Sequence, residues 1–198
     1  MNVDKVISDI KNGIPVIVLD DDDRESEGDI VISAQRSNKY NVNFTIKHAR
    51  GLLCMPCFGN IIDKYKIPMQ TFKNSKFACA FSYGIDSVRT KTGVSVDDKL
   101  KTIEDFIDDN STESLFSYPG HMFPLRAKDG LLIERRGHTE ASLELMRLAD
   151  EKPISLICEI MNDDGSIANG QSLIDYAKTY NLQLITVEEL YKYIYEKQ

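Results

Sequence analysis

The run "ISLICEIM", residues 154–161, decides the fold. Six of its eight side chains are apolar, and it is the chain's strongest candidate for a strand buried inside a sheet. The "NDDGS" that follows is turn chemistry. Beyond it come a helix near 169–180, a strand "LQLITV" (182–187) and a last helix opened by Thr186 and Glu189 as a capping box. Upstream, "TEASLELMRLA" (139–149) has helical spacing and "GLLI" (130–133) reads as a strand. Ser95 and Asp98 form a capping box before "KLKTIEDFI", and "FACAFSYGI" (77–85) alternates like a strand. "LLCMPCF" (52–58), "DIVISA" (29–34) and "PVIVL" (15–19) are further strands. A helix over "SNKYNVNFTIKHARG" is expected to be capped by Ser37 and ended by Gly51. Val3, Val6, Ile7 and Ile10 share one face of an N-terminal helix that stops near Gly13.

Strands and helices interleave with no linker, repeat or low-complexity tract. The expectation is one α/β domain of the α+β type over residues 1–198, with a mixed sheet flanked by helices. The net charge of −7 argues against bulk nucleic-acid binding, which needs a basic face. No apolar run is long enough to cross a bilayer, and "MNVDKVISDIKNG" has no signal-peptide core, so a cytoplasmic location is the default. Cys54 and Cys57 form a single C-x-x-C without a second pair, and read as small buried hydrophobes, with a structural zinc site or redox pair the minority reading.

Four features carry chemistry. "DDDDRESEGD" (20–29) packs seven acids between two apolar runs, which is either a solvated loop or a site for a divalent cation. "RRGHT" (135–139) sets two arginines beside a helix start, where free N–H groups favour an anion; a phosphate pocket and an ordinary capped helix weigh about equally, with Thr139 the expected cap. His121 stands in the turn-like "YPGHMFPL", whereas His48, near a helix C-terminus, suits a structural cation. Glu159 lies inside the apolar run 154–161. There a carboxylate is either a general acid or base, or sits at the strand end and reaches water. These features alone support a metal-assisted enzyme acting on a small phosphorylated compound.

Six stretches, in order, resemble the 3,4-dihydroxy-2-butanone 4-phosphate synthase family of riboflavin biosynthesis. They are "DDDDRESEGDIVISA", "NFTIKHARGLLCMP", "TGVS", "YPGHMFPLRA", "RRGHTEASLELMRLA" and "LICEIMNDDGS". The length resembles the form without a fused GTP cyclohydrolase II domain. The resemblance implies conversion of D-ribulose 5-phosphate to 3,4-dihydroxy-2-butanone 4-phosphate and formate, with Mg²⁺ or Mn²⁺, in a homodimer with sites near the subunit interface. It also implies residue roles. Glu25 and His138 match metal ligands, and His121 and Glu159 match positions essential for catalysis. Arg24, Glu25, Glu27, Asp29, Cys54, Glu159 and the segment Arg135, Arg136, Gly137, His138 and Thr139 match the substrate site. Lys91, Lys99 and Asn169 depart from the family's usual residues, and none of them carries an assigned role. Two other readings stay open: a different metal-dependent phosphosugar isomerase or aldolase, and a non-enzymatic sugar-phosphate binder.

Overall fold

Residues 155–159 do form a strand, and a sheet is built around it. The computed structural model describes residues 2–20, 26–71 and 79–196. Among them are seven strands: β1 (Val16–Leu19), β2 (Gly28–Ser33), β3 (Cys54–Cys57), β4 (Ile85–Ser87), β5 (Phe116–Arg126), β6 (Ser155–Glu159) and β7 (Leu184–Thr186). They make one mixed sheet in the order β4-β5-β3-β6-β2-β1-β7, with β6 at its middle. β1–β2, β2–β6, β3–β6 and β4–β5 are antiparallel; β1–β7 and β3–β5 are parallel.

Seven helices cover the two faces: α1 (Val3–Lys11), α2 (Lys39–His48), α3 (Gly59–Lys64), α4 (Val96–Ile107), α5 (His138–Leu148), α6 (Gln171–Tyr180) and α7 (Val187–Tyr195). Successive side chains of a strand point to opposite faces. Ile30, Ile32, Leu156 and Cys158 therefore pack under α2, α3, α4 and α6. Val31 and Ile157 pack with Val16, Val18 and Cys54 under α1, α5 and α7. Helices on both sides explain why the central strands read as nearly unbroken apolar runs.

Several expectations change. Asn38, not Ser37, caps α2, through a reciprocal capping box with Asn41. α2 ends at His48 with Ala49 as its C-cap, before Gly51, and Arg50 takes the left-handed conformation (φ 73°). "GLLI" is a 3-10 turn over Leu131–Ile133 that buries Leu131 and Leu132; a four-residue apolar run has too little periodicity to separate the two. Of "FACAFSYGI", residues 77 and 78 fall outside the described residues. Phe81 and Ser82 make only isolated bridges, and β4 begins at Ile85. The segment around His121 belongs to the longest strand, β5, rather than to a turn. Its two prolines and one glycine mask it, since those residues normally argue against a strand interior. β5 tolerates them by serving β4 with one half and β3 with the other, across a register shift at Ile85/Asp86.

Ile30 is fully buried in β2, beside the central strand. Ile30→Ala is expected to lower stability by about 2–5 kcal/mol through lost burial and the cavity left behind. The check is the urea midpoint at constant m; a midpoint equal to that of the parent chain would contradict this packing.

Candidate active site

The β2–β6 register sets Asp29 directly opposite Glu159, at the end where both strands leave the core. Both carboxylates lie on the face covered by α5, the face of Val31 and Ile157. Cys54 of β3 pairs with Ile157 and joins the same row. Above them stands the first turn of α5. One pocket is lined by Glu27, Asp29, Cys54, Arg135, His138, Thr139 and Glu159, together with Cys79 and Phe81.

Asp29 and His138 are almost fully buried. The His138 Nδ1 lies 3.9 Å from the Asp29 Oδ2. Glu159, at the last position of β6, is half-buried, so both descriptions of it hold in part: it ends a buried strand and it faces the pocket. Its Oε2 accepts the Leu52 N–H at 2.7 Å. Gly137, not Thr139, is the N-cap of α5, and as a glycine it makes no side-chain capping bond. Thr139 is thereby inside the helix and lines the pocket. Arg135 is held by a buried carboxylate: its Nη1 donates to the Glu140 Oε2 at 2.6 Å, and its Nη2 to the Cys79 Sγ at 3.1 Å.

Not every candidate converges there. Arg24 and Glu25 lie outside the described residues. Arg136 turns away, pairing with Glu188 of α7 and stacking 3.9 Å above the Tyr191 ring. His121 is on β5, two residues before Phe123, the register partner of Cys54, and does not line this pocket. Its ring is about half exposed and its Nδ1 is 2.7 Å from the Asp86 Oδ2, while its own N–H donates to the Asp86 Oδ1. Asp86 went unnoticed in the sequence, where it is one acid among 31. The close approach of Gly93 to the Asp86 carboxylate is what brings "TGVS" beside this pair. Lys99 donates to the His121 carbonyl at 2.9 Å, and burial pushes its ammonium below the usual lysine range, with Asp86 opposing. Lys91 and Asn169 are exposed and do not line the pocket. His48 has a structural contact, meeting the Tyr180 hydroxyl, and burial first, then Lys47 and Arg50, lower its pKa.

A pocket lined by three carboxylates, an imidazole, an arginine and a helix start suits a phosphorylated, oxygen-rich compound. The family model for 3,4-dihydroxy-2-butanone 4-phosphate synthase matches residues 4–193. The chain belongs to this family. Riboflavin biosynthesis protein RibBA of Staphylococcus saprophyticus is 40% identical over 193 residues, which cover 97% of this chain and 49% of that protein. The chain thus spans about half the length of that relative. Among solved structures, RibBX, a two domain 3,4-dihydroxy-2-butanone 4-phosphate synthase from A. baumannii, superposes with a TM-score of 0.95 at 33% identity, covering all of this chain and 59% of that one. A 3,4-dihydroxy-2-butanone 4-phosphate synthase solved in complex with two magnesium ions gives 0.93 at 31% identity and covers 98% of that chain. The mixed sheet of this chain is the fold of those synthases.

Burial pushes the thiols of Cys54, Cys57 and Cys158 up, out of reach of neutral pH, with Glu159 and Asp29 reinforcing it at Cys54 and Cys158. Cys79 is partly exposed. Titration with a disulfide reagent at neutral pH is expected to find one fast thiol, lost in Cys79→Ser, and three that react only on unfolding, since the thiolate is the nucleophile. Fast labelling of Cys54 would contradict the packing of the pocket.

Proposed function

We propose that this chain is a 3,4-dihydroxy-2-butanone 4-phosphate synthase, converting D-ribulose 5-phosphate to L-3,4-dihydroxy-2-butanone 4-phosphate and formate. The observation that carries the reading is the register that faces Asp29 with Glu159 under His138 and Thr139. The whole of 1–198 is one such domain, supported by its single sheet. The phosphate is assigned to Arg135, Thr139 and the N–H groups that open α5, where charge-assisted bonds are strong.

The chemistry needs repeated proton movement: enolisation, loss of water, a skeletal rearrangement and expulsion of C4 as formate. Asp29 and Glu159 are acids or bases on one side of the sugar. His121 has its Nδ1 engaged by Asp86, which leaves Nε2 for proton exchange; because it does not line this pocket, it is assigned to the substrate of the second copy in a homodimer. Among the described residues, no three His, Cys, Asp or Glu side chains already form a metal-binding cluster. Still, the donors that line the pocket, Glu27, Asp29, Glu159 and His138, suit a hard divalent cation, with Glu25 and His138 the proposed ligands of Mg²⁺ or Mn²⁺. Such an ion supplies charge stabilisation at adjacent substrate oxygens. The two magnesium ions of the synthase described above support this choice.

His121 stands apart from the pocket, and exposed Tyr83, Val88, Val94 and Tyr118 lie on the β4–β5 side of the sheet with it. These side chains support a homodimer in which that side meets a second copy. The charge of −7 supports a small-molecule partner over nucleic acid. Sugar phosphates are retained by membranes, so a cytoplasmic location goes with this substrate.

The direct test is incubation with ribulose 5-phosphate and Mg²⁺, with formate measured. Formate release that stops on chelation and returns with Mg²⁺ is expected. Substrate consumption without formate would point to an isomerase or aldolase, and binding without turnover to a regulator. Glu159→Gln is expected to lower turnover by about 10²-fold or more, the scale for a lost acid or base. Its melting temperature should hardly move, because the glutamine oxygen still accepts the Leu52 N–H. Wild-type turnover would remove Glu159 from the chemistry.

A further inference from the structure

Glu159 is placed by a turn whose own residues do not line the pocket. Met161 donates its N–H to the Ala49 carbonyl at 2.9 Å, and Gly51 donates to the Glu159 carbonyl at 3.1 Å. Between them Arg50 bridges Ile160 in antiparallel fashion. Residues 49–51 are thus tied, bond by bond, to the segment 159–161. Arg50 pays for this with a left-handed backbone (φ 73°), a conformation that persists in a side-chain-bearing residue only where its surroundings demand it. The turn delivers the Leu52 N–H to the Glu159 Oε2. It also leaves no space at Gly51. A Cβ there would stand 2.5 Å from the Glu159 carbonyl oxygen, 2.8 Å from its nitrogen and nearer still to Oε2. Two of those three atoms are backbone, so a rotamer change cannot relieve the overlap.

We propose that the Arg50–Leu52 turn is the positioning element of Glu159: the Leu52 amide holds its carboxylate, and Gly51 is there because only a residue without a side chain fits against it. This deepens the proposed reaction and rests on it. The turn touches no substrate. It acts by fixing one carboxylate oxygen, which leaves the other directed to the pocket. Holding a proton-transfer group within a fraction of an ångström is where such a contact matters, since a displacement of about 1 Å can cost about 10²-fold in rate.

The test is a double-mutant cycle on the full chain, with Gly51→Ala, Glu159→Gln and the pair, read as kcat and KM for formate release with Mg²⁺. Gly51→Ala alone is expected to lower kcat by about 10- to 10²-fold with a smaller change in KM. In the Glu159→Gln background the same change is expected to cost less than about threefold, because residues that act through one another are not additive. Full additivity would overturn the proposal and make Gly51 a general structural residue. No formate from the unaltered chain would overturn the reaction, and the role of the turn with it. A second measurement does not need Gly51→Ala to fold. The Leu52 amide proton, followed by NMR, is expected to resonate downfield in the parent chain and to move upfield in Glu159→Gln, where a charged acceptor becomes neutral. An amide shift identical in the two would overturn the contact even if the kinetics changed.

Discussion

The antiparallel register of β2 on β6 is the constraint on which the rest depends. It pairs five residues of each strand, and with them two rows of opposite character. Ile30, Ile32, Leu156 and Cys158 fill the core under α2, α3, α4 and α6. Val31 and Ile157 fill the other, and the next position along that same row is Asp29 opposite Glu159. A slip of one residue would turn every side chain to the wrong face. In either strand it would drive that strand's carboxylate among Ile30's neighbours and part it from the acid it faces. The hydrophobic core therefore fixes the spacing of the acids without any contact between the two sets being required.

Electrostatics within the pocket follow from the same layering. Glu140, on α5, is as deeply buried as the apolar residues beside it and is tied to the Arg135 guanidinium and the Lys128 N–H. A buried carboxylate with both oxygens engaged fixes a cation better than a solvated one, because neither partner can leave without stranding the other. The chain is acidic overall, yet it keeps a pre-oriented arginine beside its carboxylate row. Arg136, next in sequence and identical in type, is spent on joining α7 to the loop.

What the sequence shows clearly is periodicity and capping. The central strands, α1, α4 and α7 fall where apolar spacing and Ser95 or Thr186 put them, because those signals are local. Glu27, Asp29, Cys54, Arg135, His138, Thr139 and Glu159 were nameable from the resemblance, but Cys79, Phe81 and the arrangement of the pocket were not. Arg135 and Arg136 cannot be told apart without knowing where α7 packs. Asp86 gains its meaning only through His121, 35 positions away. β5 hides behind Pro119, Gly120 and Pro124, since its pairing is divided between two neighbours. Gly51 looks like a helix terminator; its reason is a clash with a residue of another strand. Each miss is a long-range contact overriding a sound local rule.

The same strand order has a consequence for how the chain is made. β2 emerges early from the ribosome, but its neighbour β6 comes after five of the seven strands and five of the seven helices. Until then β1 and β2 can pair only with each other, as a hairpin whose β2 edge waits for β6 and whose β1 edge waits for β7. Pairings so distant in sequence are slow to form, because the intervening loop must close before any contact rewards it. The nascent chain thus carries an apolar edge through most of its synthesis, and its acidic segment at 20–29 flanks that edge with like charge. Charge beside an unpaired strand discourages a second chain from adding to it. Glu27 and Asp29, which line the finished pocket, stand in the growing polypeptide beside that open edge.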